Sequence, residues 1–186
     1  MNKTYIYYHL INDEKESHAL TRKGLEKYLK ETGLRSKNVD PCISRDEKYA
    51  KPYFKEYPQI YHNTSHSGKW WACAYGLTEN GLDLQKENQA RTEKIAKRFF
   101  HPDEIAWLQE KNREQFFRLW AYNESYLKYT GMGLRKGLSY FSVVKEDGLG
   151  VEGVYQEEIS FPEEGYWLVL TTKEREKVVI QSLFDD

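Results

Sequence analysis

The sequence predicts an α+β fold, and three observations lead there. The chain has 186 residues, enough for one sizeable domain or two small, closely packed halves. Helical stretches are read along its first two thirds, whereas short runs of β-branched and aromatic residues fill the remainder from Tyr140. Aromatic residues make up 15%, with 15 Tyr and 5 Trp, a content that implies a packed core and argues against disorder.

Taken in order, Met1 to Tyr8 alternates like a strand and lacks the long apolar run of a secretory signal. Leu20, Leu25 and Leu29 line one face of a helix that ends near Gly33. Between Arg35 and Tyr61, the prolines at 41, 52 and 58 predict irregular chain with short extended pieces. His62-Asn63-Thr64-Ser65-His66-Ser67-Gly68 reads as a polar loop ahead of a strand from Lys69 to Ala74. Asn80-Gly81 then predicts a hairpin turn. Its return strand, Leu82 to Gln85, puts the two leucines on one face and Asp83 with Gln85 on the other. A helix is expected from Glu87 to Phe100, and Pro102 opens the next with acids in its first turn. Gln115 to Tyr129 is a third helix in this region, closed by Gly131 and Gly133. Strands are expected at 140–144, 158–161, 166–170 and 177–180.

Charge and composition exclude several classes. Lys+Arg 28 against Asp+Glu 29 leaves a net charge of −1, so nothing global favours nucleic acid. No window approaches the ~20 apolar residues of a membrane span. Cys42 and Cys73 make neither a disulfide framework nor a zinc spacing, which fits a reducing, cytoplasmic setting.

Three features carry chemistry. On the Gln115–Tyr129 helix, Phe116, Trp120 and Leu127 define an inward face, with Glu124 at its edge and Lys128 one turn on. Alone, that pair reads more simply as an i,i+4 surface pair of about 0.2–0.5 kcal/mol. Asp83 and Gln85, on one strand face, offer oxygen ligands of the kind Mg²⁺ takes beside substrate phosphates; alone, they read as a solvated strand face. The His62–Gly68 stretch, followed by Lys69, supplies hydroxyls, backbone N–H groups and a cation for a phosphate, or else a plain polar turn. Ser65 or Ser67 with His66 is also the material of a hydrolase, but no nucleophile-elbow pattern accompanies it.

Together, and in this order, these features resemble the Sfp-type 4′-phosphopantetheinyl transferases. Asn63-Thr64-Ser65-His66-Ser67-Gly68 is similar to the family's N-x-S-H-S-G. Gly81-Leu82-Asp83-Leu84-Gln85 is similar to its G-[IVL]-D-[IVL]-E, and Trp120 to Lys128 to its W-x-x-K-E-[SA]-x-x-K. Lys51-Pro52, Ile95 to Phe100, Gly131 to Leu134 and Phe141-Ser142-Val143 extend the likeness, which runs from about Lys51 to Val143.

The resemblance implies two similar α+β halves about a pseudo-twofold axis, here residues 1–82 and 83–186, with the active site at their interface. It implies transfer of the phosphopantetheine arm of coenzyme A to a serine of an apo acyl or peptidyl carrier protein, by a monomer. Asp83, Glu124 and Gln85 would hold Mg²⁺. Glu124 would take the serine proton, Lys128 would offset phosphate charge, and Ser65 and His66 would contact the coenzyme A phosphates. Lys51 and Pro52 would line its nucleotide end. Three positions depart from the pattern: Gln85 replaces a Glu, Asn123 a Lys and His62 a Phe. The first two motivate an alternative, a homologue that binds coenzyme A or a carrier without turnover. The 3′-phosphate residues are not alignable; Lys15, His18, Arg22 and Lys23 are the candidates near the N-terminus.

Overall fold

The computed structural model describes residues 2–34, 41–45, 51–109, 111–133 and 138–184. The expectations for Met1, for Leu134 and for parts of the 35–61 segment lie outside these residues. The chain opens with β1 (Lys3–Leu10) and a short 3₁₀ turn (Glu14–Glu16). Asp13 caps that turn by accepting from Lys15 N, while Glu16 reaches back to Asp13 N. Next come α1 (Ser17–Thr32), β2 (Ile43–Arg45), β3 (Pro52–Phe54), β4 (Tyr61–Ser67), β5 (Trp70–Gly76) and β6 (Asn80–Lys86). Three helices follow: α2 (Thr92–Phe99), α3 (Pro102–Gln109) and α4 (Glu114–Thr130). The rest is β7 (Val144–Lys145), β8 (Gly148–Leu149), β9 (Tyr155–Ile159), β10 (Tyr166–Thr172) and β11 (Lys177–Ser182).

Two sheets organise the molecule. The first has the order β11-β1-β5-β4 and the second β6-β10-β9. Strand alternation gives each sheet two apolar faces. Tyr7, Trp71, Cys73 and Tyr75 pack with Leu25, Tyr28 and Leu29 of α1. Ile6, Ala72 and Ala74, one residue out of phase, meet Leu82, Leu84, Leu168 and Leu170 between the sheets. Phe116, Phe117, Leu119 and Leu127 of α4 cover the outer side of the second sheet, together with Ala96 and Phe100. The layers therefore run α1, first sheet, second sheet, α4.

Two expectations are corrected. Residues 61–67 are not a loop but the strand β4, paired with β5 from Tyr61↔Gly76 to Ser67↔Trp70. The turn comes one residue later, at Gly68, whose φ of 56° lies in the left-handed region. Nor does Asn80-Gly81 make a hairpin. β5 pairs with β1 and β4, whereas β6 begins at Asn80 and pairs with β10. Gly81 is small for another reason: a Cβ there would collide with the backbone of Ser125 and Tyr129. Its absence lets α4 lie directly on β6.

The helix expected from Glu87 starts later, at Thr92, and the expected strand at 140–144 is reduced to β7 after a 3₁₀ turn at Leu138–Tyr140. Gly131 closes α4 as expected, left-handed at φ 70°, its N–H donating to Leu127 O.

Candidate active site

The site forms where β4, β6 and α4 meet. β6 is the edge strand of the second sheet, and its edge lies against β4 of the first. No backbone ladder joins them. Instead Asn63 Oδ1 accepts from Leu82 N at 3.0 Å, Ser65 Oγ from Leu84 N at 3.0 Å and Ser67 Oγ from Lys86 N at 2.9 Å. Alternate side chains of one strand thus satisfy alternate N–H groups of the other. Buried donors of this kind require partners, and the small polar residues at 63, 65 and 67 supply them.

That junction places Asp83. With Leu82 and Leu84 turned into the space between the sheets, Asp83 points the other way, towards α4. Lys128 Nζ donates to Asp83 Oδ1 at 2.7 Å, to Ser65 Oγ at 3.0 Å and to Leu82 O at 3.0 Å. Ser65 Oγ donates to the same Oδ1 at 2.9 Å. Asp83 is only 5% exposed, and its Oδ2 is buried with no hydrogen-bond partner. Burial raises its carboxyl above the ordinary value, while Lys128 and Ser65 pull the other way.

Glu124 stands one turn before Lys128 on α4. Burial, then the nearby Asp83 carboxylate, raises it from an ordinary 4.5 to about 7, against the pull of Lys128. Two close carboxylates with one open oxygen are an arrangement that a divalent cation relieves. Among the described residues, no group of three or more His, Cys, Asp or Glu side chains is gathered for a metal. Gln85 shares the Asp83 side of β6 by alternation, opposite Trp167 of β10.

The other expected residues spread around this centre. His66 lies on the opposite side of β4 from Ser65, mostly exposed, with Nδ1 3.6 Å from Glu14 Oε1. Neither Ser65 nor Ser67 is hydrogen-bonded to it, so the hydrolase pair is not assembled. Lys51 Nζ donates to Tyr129 O at 2.8 Å and to Glu79 Oε1 at 3.1 Å, near the end of α4. With Pro52, His62 and Asn80 it lines a cavity of about 160 Å³. Lys15, His18 and Lys23 are exposed around the start of α1 and Arg22 is partly buried there.

Two departures from the family pattern acquire physical explanations. His62 is buried, its ring tilted against Phe54 with centroids 4.2 Å apart; burial, then His18 and Lys51, lowers it to about 4, so it is a neutral ring in an aromatic place. Asn123 faces the core. It is fully buried, and its Nδ2 donates to Glu104 Oε1 at 3.1 Å. The same oxygen accepts from Val143 N at 2.9 Å. The residue that stands in place of the family's Lys is thus built into the core. Residues 123 and 124, about 100° apart on the helix, serve different sides.

The bridging roles of Asn63 and Ser67, and the part played by Glu104, were not anticipated. Their signal was available for the first two only: polar residues at period two mark a strand face.

A model of the 4′-phosphopantetheinyl transferase superfamily matches residues 80–178, the stretch that carries Asp83, Glu124 and Lys128. Over 107 residues the chain is 42% identical to a 4′-phosphopantetheinyl transferase of Bacillus subtilis, covering 55% of this chain and 47% of that protein. It is 37% identical to 4′-phosphopantetheinyl transferase Sfp of Bacillus subtilis (strain 168), with the same coverages. Against 4′-phosphopantetheinyl transferase gsp of Aneurinibacillus migulanus it is 35% identical, covering 55% of this chain and 44% of that one. The chain belongs to the 4′-phosphopantetheinyl transferase superfamily, and within it to the Sfp type. It spans about half the length of the curated relatives it matches.

Proposed function

We propose that this protein transfers the 4′-phosphopantetheine group of coenzyme A to a serine of an acyl or peptidyl carrier protein. The single observation that carries the reading is that Asp83 lies near enough to raise Glu124 across β6 and α4, while Lys128 of α4 donates to Asp83. It falls inside the segment that matches the family.

In this reading the carrier's serine oxygen attacks the phosphorus bearing the pantetheine arm. The pyrophosphate P–O bond breaks and the nucleotide leaves. Glu124, held near neutrality, takes the serine proton at its carboxylate, since a base works best with a pKa close to the working pH. Lys128 adds fixed positive charge beside the transferring phosphate. Asp83 Oδ2 and Glu124, with Gln85 adjoining, are the oxygens that fit Mg²⁺; when bound it neutralises pyrophosphate charge. Lys51 and Pro52 line the cavity assigned to the nucleotide end, and His66 with the start of α1 faces the outer phosphate. Residues 1–82 and 83–186 serve as the two halves flanking the cleft, in a cytoplasmic monomer.

A non-catalytic binding protein is the second reading. With Asn123 facing the core, Gln85 is the substitution left in its favour.

The test is to mix the protein with coenzyme A, Mg²⁺ and a panel of apo carriers and record intact-carrier masses. A mass gain of one phosphopantetheine unit, lost on chelation, is expected. Asp83→Ala and Glu124→Gln should each abolish it, and full activity in either variant overturns the mechanism. Coenzyme A binding without any mass gain favours the second reading.

A further inference from the structure

The Ser65 hydroxyl has no capacity left for a ligand. A serine oxygen carries one proton and two lone pairs. Here the proton goes to Asp83 Oδ1 at 2.9 Å, and the lone pairs accept from Leu84 N and Lys128 Nζ, each at 3.0 Å. A phosphate oxygen would have to break one of these bonds in a site only 5% exposed. The first of these bonds, with a second from Lys128 Nζ at 2.7 Å, divides the Asp83 carboxylate unequally. Oδ1 receives both Ser65 and Lys128, and Oδ2 stays buried with no partner.

We propose that Ser65 is a positioning residue for Asp83: it fixes the carboxylate's rotation so that Oδ2 is the oxygen offered to a divalent cation. This rests on the reading of Asp83 and Glu124 as a cation-holding pair. Ser65 is tied at the same time to the backbone of the next residue, Leu84, so strand and carboxylate are held by one atom. Ser67 provides an internal comparison. It makes the equivalent bond to Lys86 N at 2.9 Å and has no bond to Asp83. Removing its hydroxyl weakens the junction between the sheets without touching the carboxylate.

The experiment is an Mn²⁺ titration followed by electron paramagnetic resonance, without coenzyme A or carrier. The unaltered protein is compared with Ser65→Ala, Ser67→Ala and Ser65→Thr. Loss of a group that orients a metal ligand weakens affinity about tenfold or more, and that is expected for Ser65→Ala. Ser67→Ala should stay within about twofold of the unaltered protein while melting at a lower temperature. Ser65→Thr, which restores a hydroxyl, should recover affinity. If Ser65→Ala does not fold, Ser65→Cys replaces it, since a thiol of similar size is only a weak donor. Mn²⁺ affinity equal to that of the unaltered protein in the Ser65 variant overturns the positioning role and leaves the cation site standing. Failure of the unaltered protein to bind Mn²⁺ overturns both.

Discussion

Glu124 and Asp83 set the protonation chemistry of single residues. Glu124 is raised to about 7 by burial and then by Asp83. In metal-free protein its carboxyl should titrate near pH 7 by carbon NMR, and lower in Asp83→Asn, where the like charge is gone. The effect on stability follows with a definite sign. A carboxyl raised in the folded state binds more protons than in the unfolded chain, so stability is full below pH 4.5 and declines as pH rises through 7. Asp83 and Glu104, also raised by burial, push the same way. Buried His62, lowered to about 4, pushes the other way up to its unfolded value of 6.5, so the contrast between variants is the readout: from pH 5 to 8 the melting temperature of metal-free Glu124→Gln should fall less, or rise more, than that of the unaltered protein. At this scale the sequence was informative about Asp83, because two leucines flanking one acid define opposite faces. It was also informative about Glu124 and Lys128, which their spacing placed one turn apart. Ser65 was visible only as part of a motif, since its partners come from two other elements. Asn123 was legible only as a departure from the motif, since its partner Glu104 comes from another helix.

At the level of elements, the contact between α4 and β6 decides whether Lys128 and Glu124 come to lie beside Asp83. Gly81 admits the helix, and Lys128 then reaches Asp83 and Leu82 O. Gly81→Ala should cost roughly 3 kcal/mol in urea unfolding, the upper range for overpacking, and should lower transfer further by moving Glu124 away from Asp83. Asn63→Ala leaves Leu82 N buried without its acceptor and should cost about 1–3 kcal/mol by the same measurement. The Asn-Gly pair shows why β6 was read as half of a hairpin. A glycine that permits a tight turn and a glycine that permits a helix to approach look identical in one sequence. Likewise, the polar His62–Gly68 stretch was read as a loop because its acceptors serve another strand instead of solvent.

Across the whole molecule, the chain closes on itself. β11 pairs in parallel with β1, from Lys3↔Lys177 to Tyr8↔Ser182, and Leu183 joins the core beneath α1. Ending the chain before Lys177 should expose one side of β1 and uncover part of that core. A loss comparable to the whole stability of a small domain, roughly 5 kcal/mol, is expected by urea unfolding or hydrogen exchange. Both strands were legible individually from their β-branched and aromatic content. Their pairing was not, because a parallel partner most of a chain length away leaves no local mark.

The junction between the sheets has one more consequence. A backbone ladder is the same whatever residues compose it, so its spacing is fixed. Three side chains, Asn63, Ser65 and Ser67, span this gap instead. The separation of β4 from β6, and with it the placing of Asp83 between strand and helix, is therefore written in residue types. It can be reset one rung at a time while both sheets keep their own hydrogen bonds, which makes the spacing of the two sheets a heritable dimension independent of the fold.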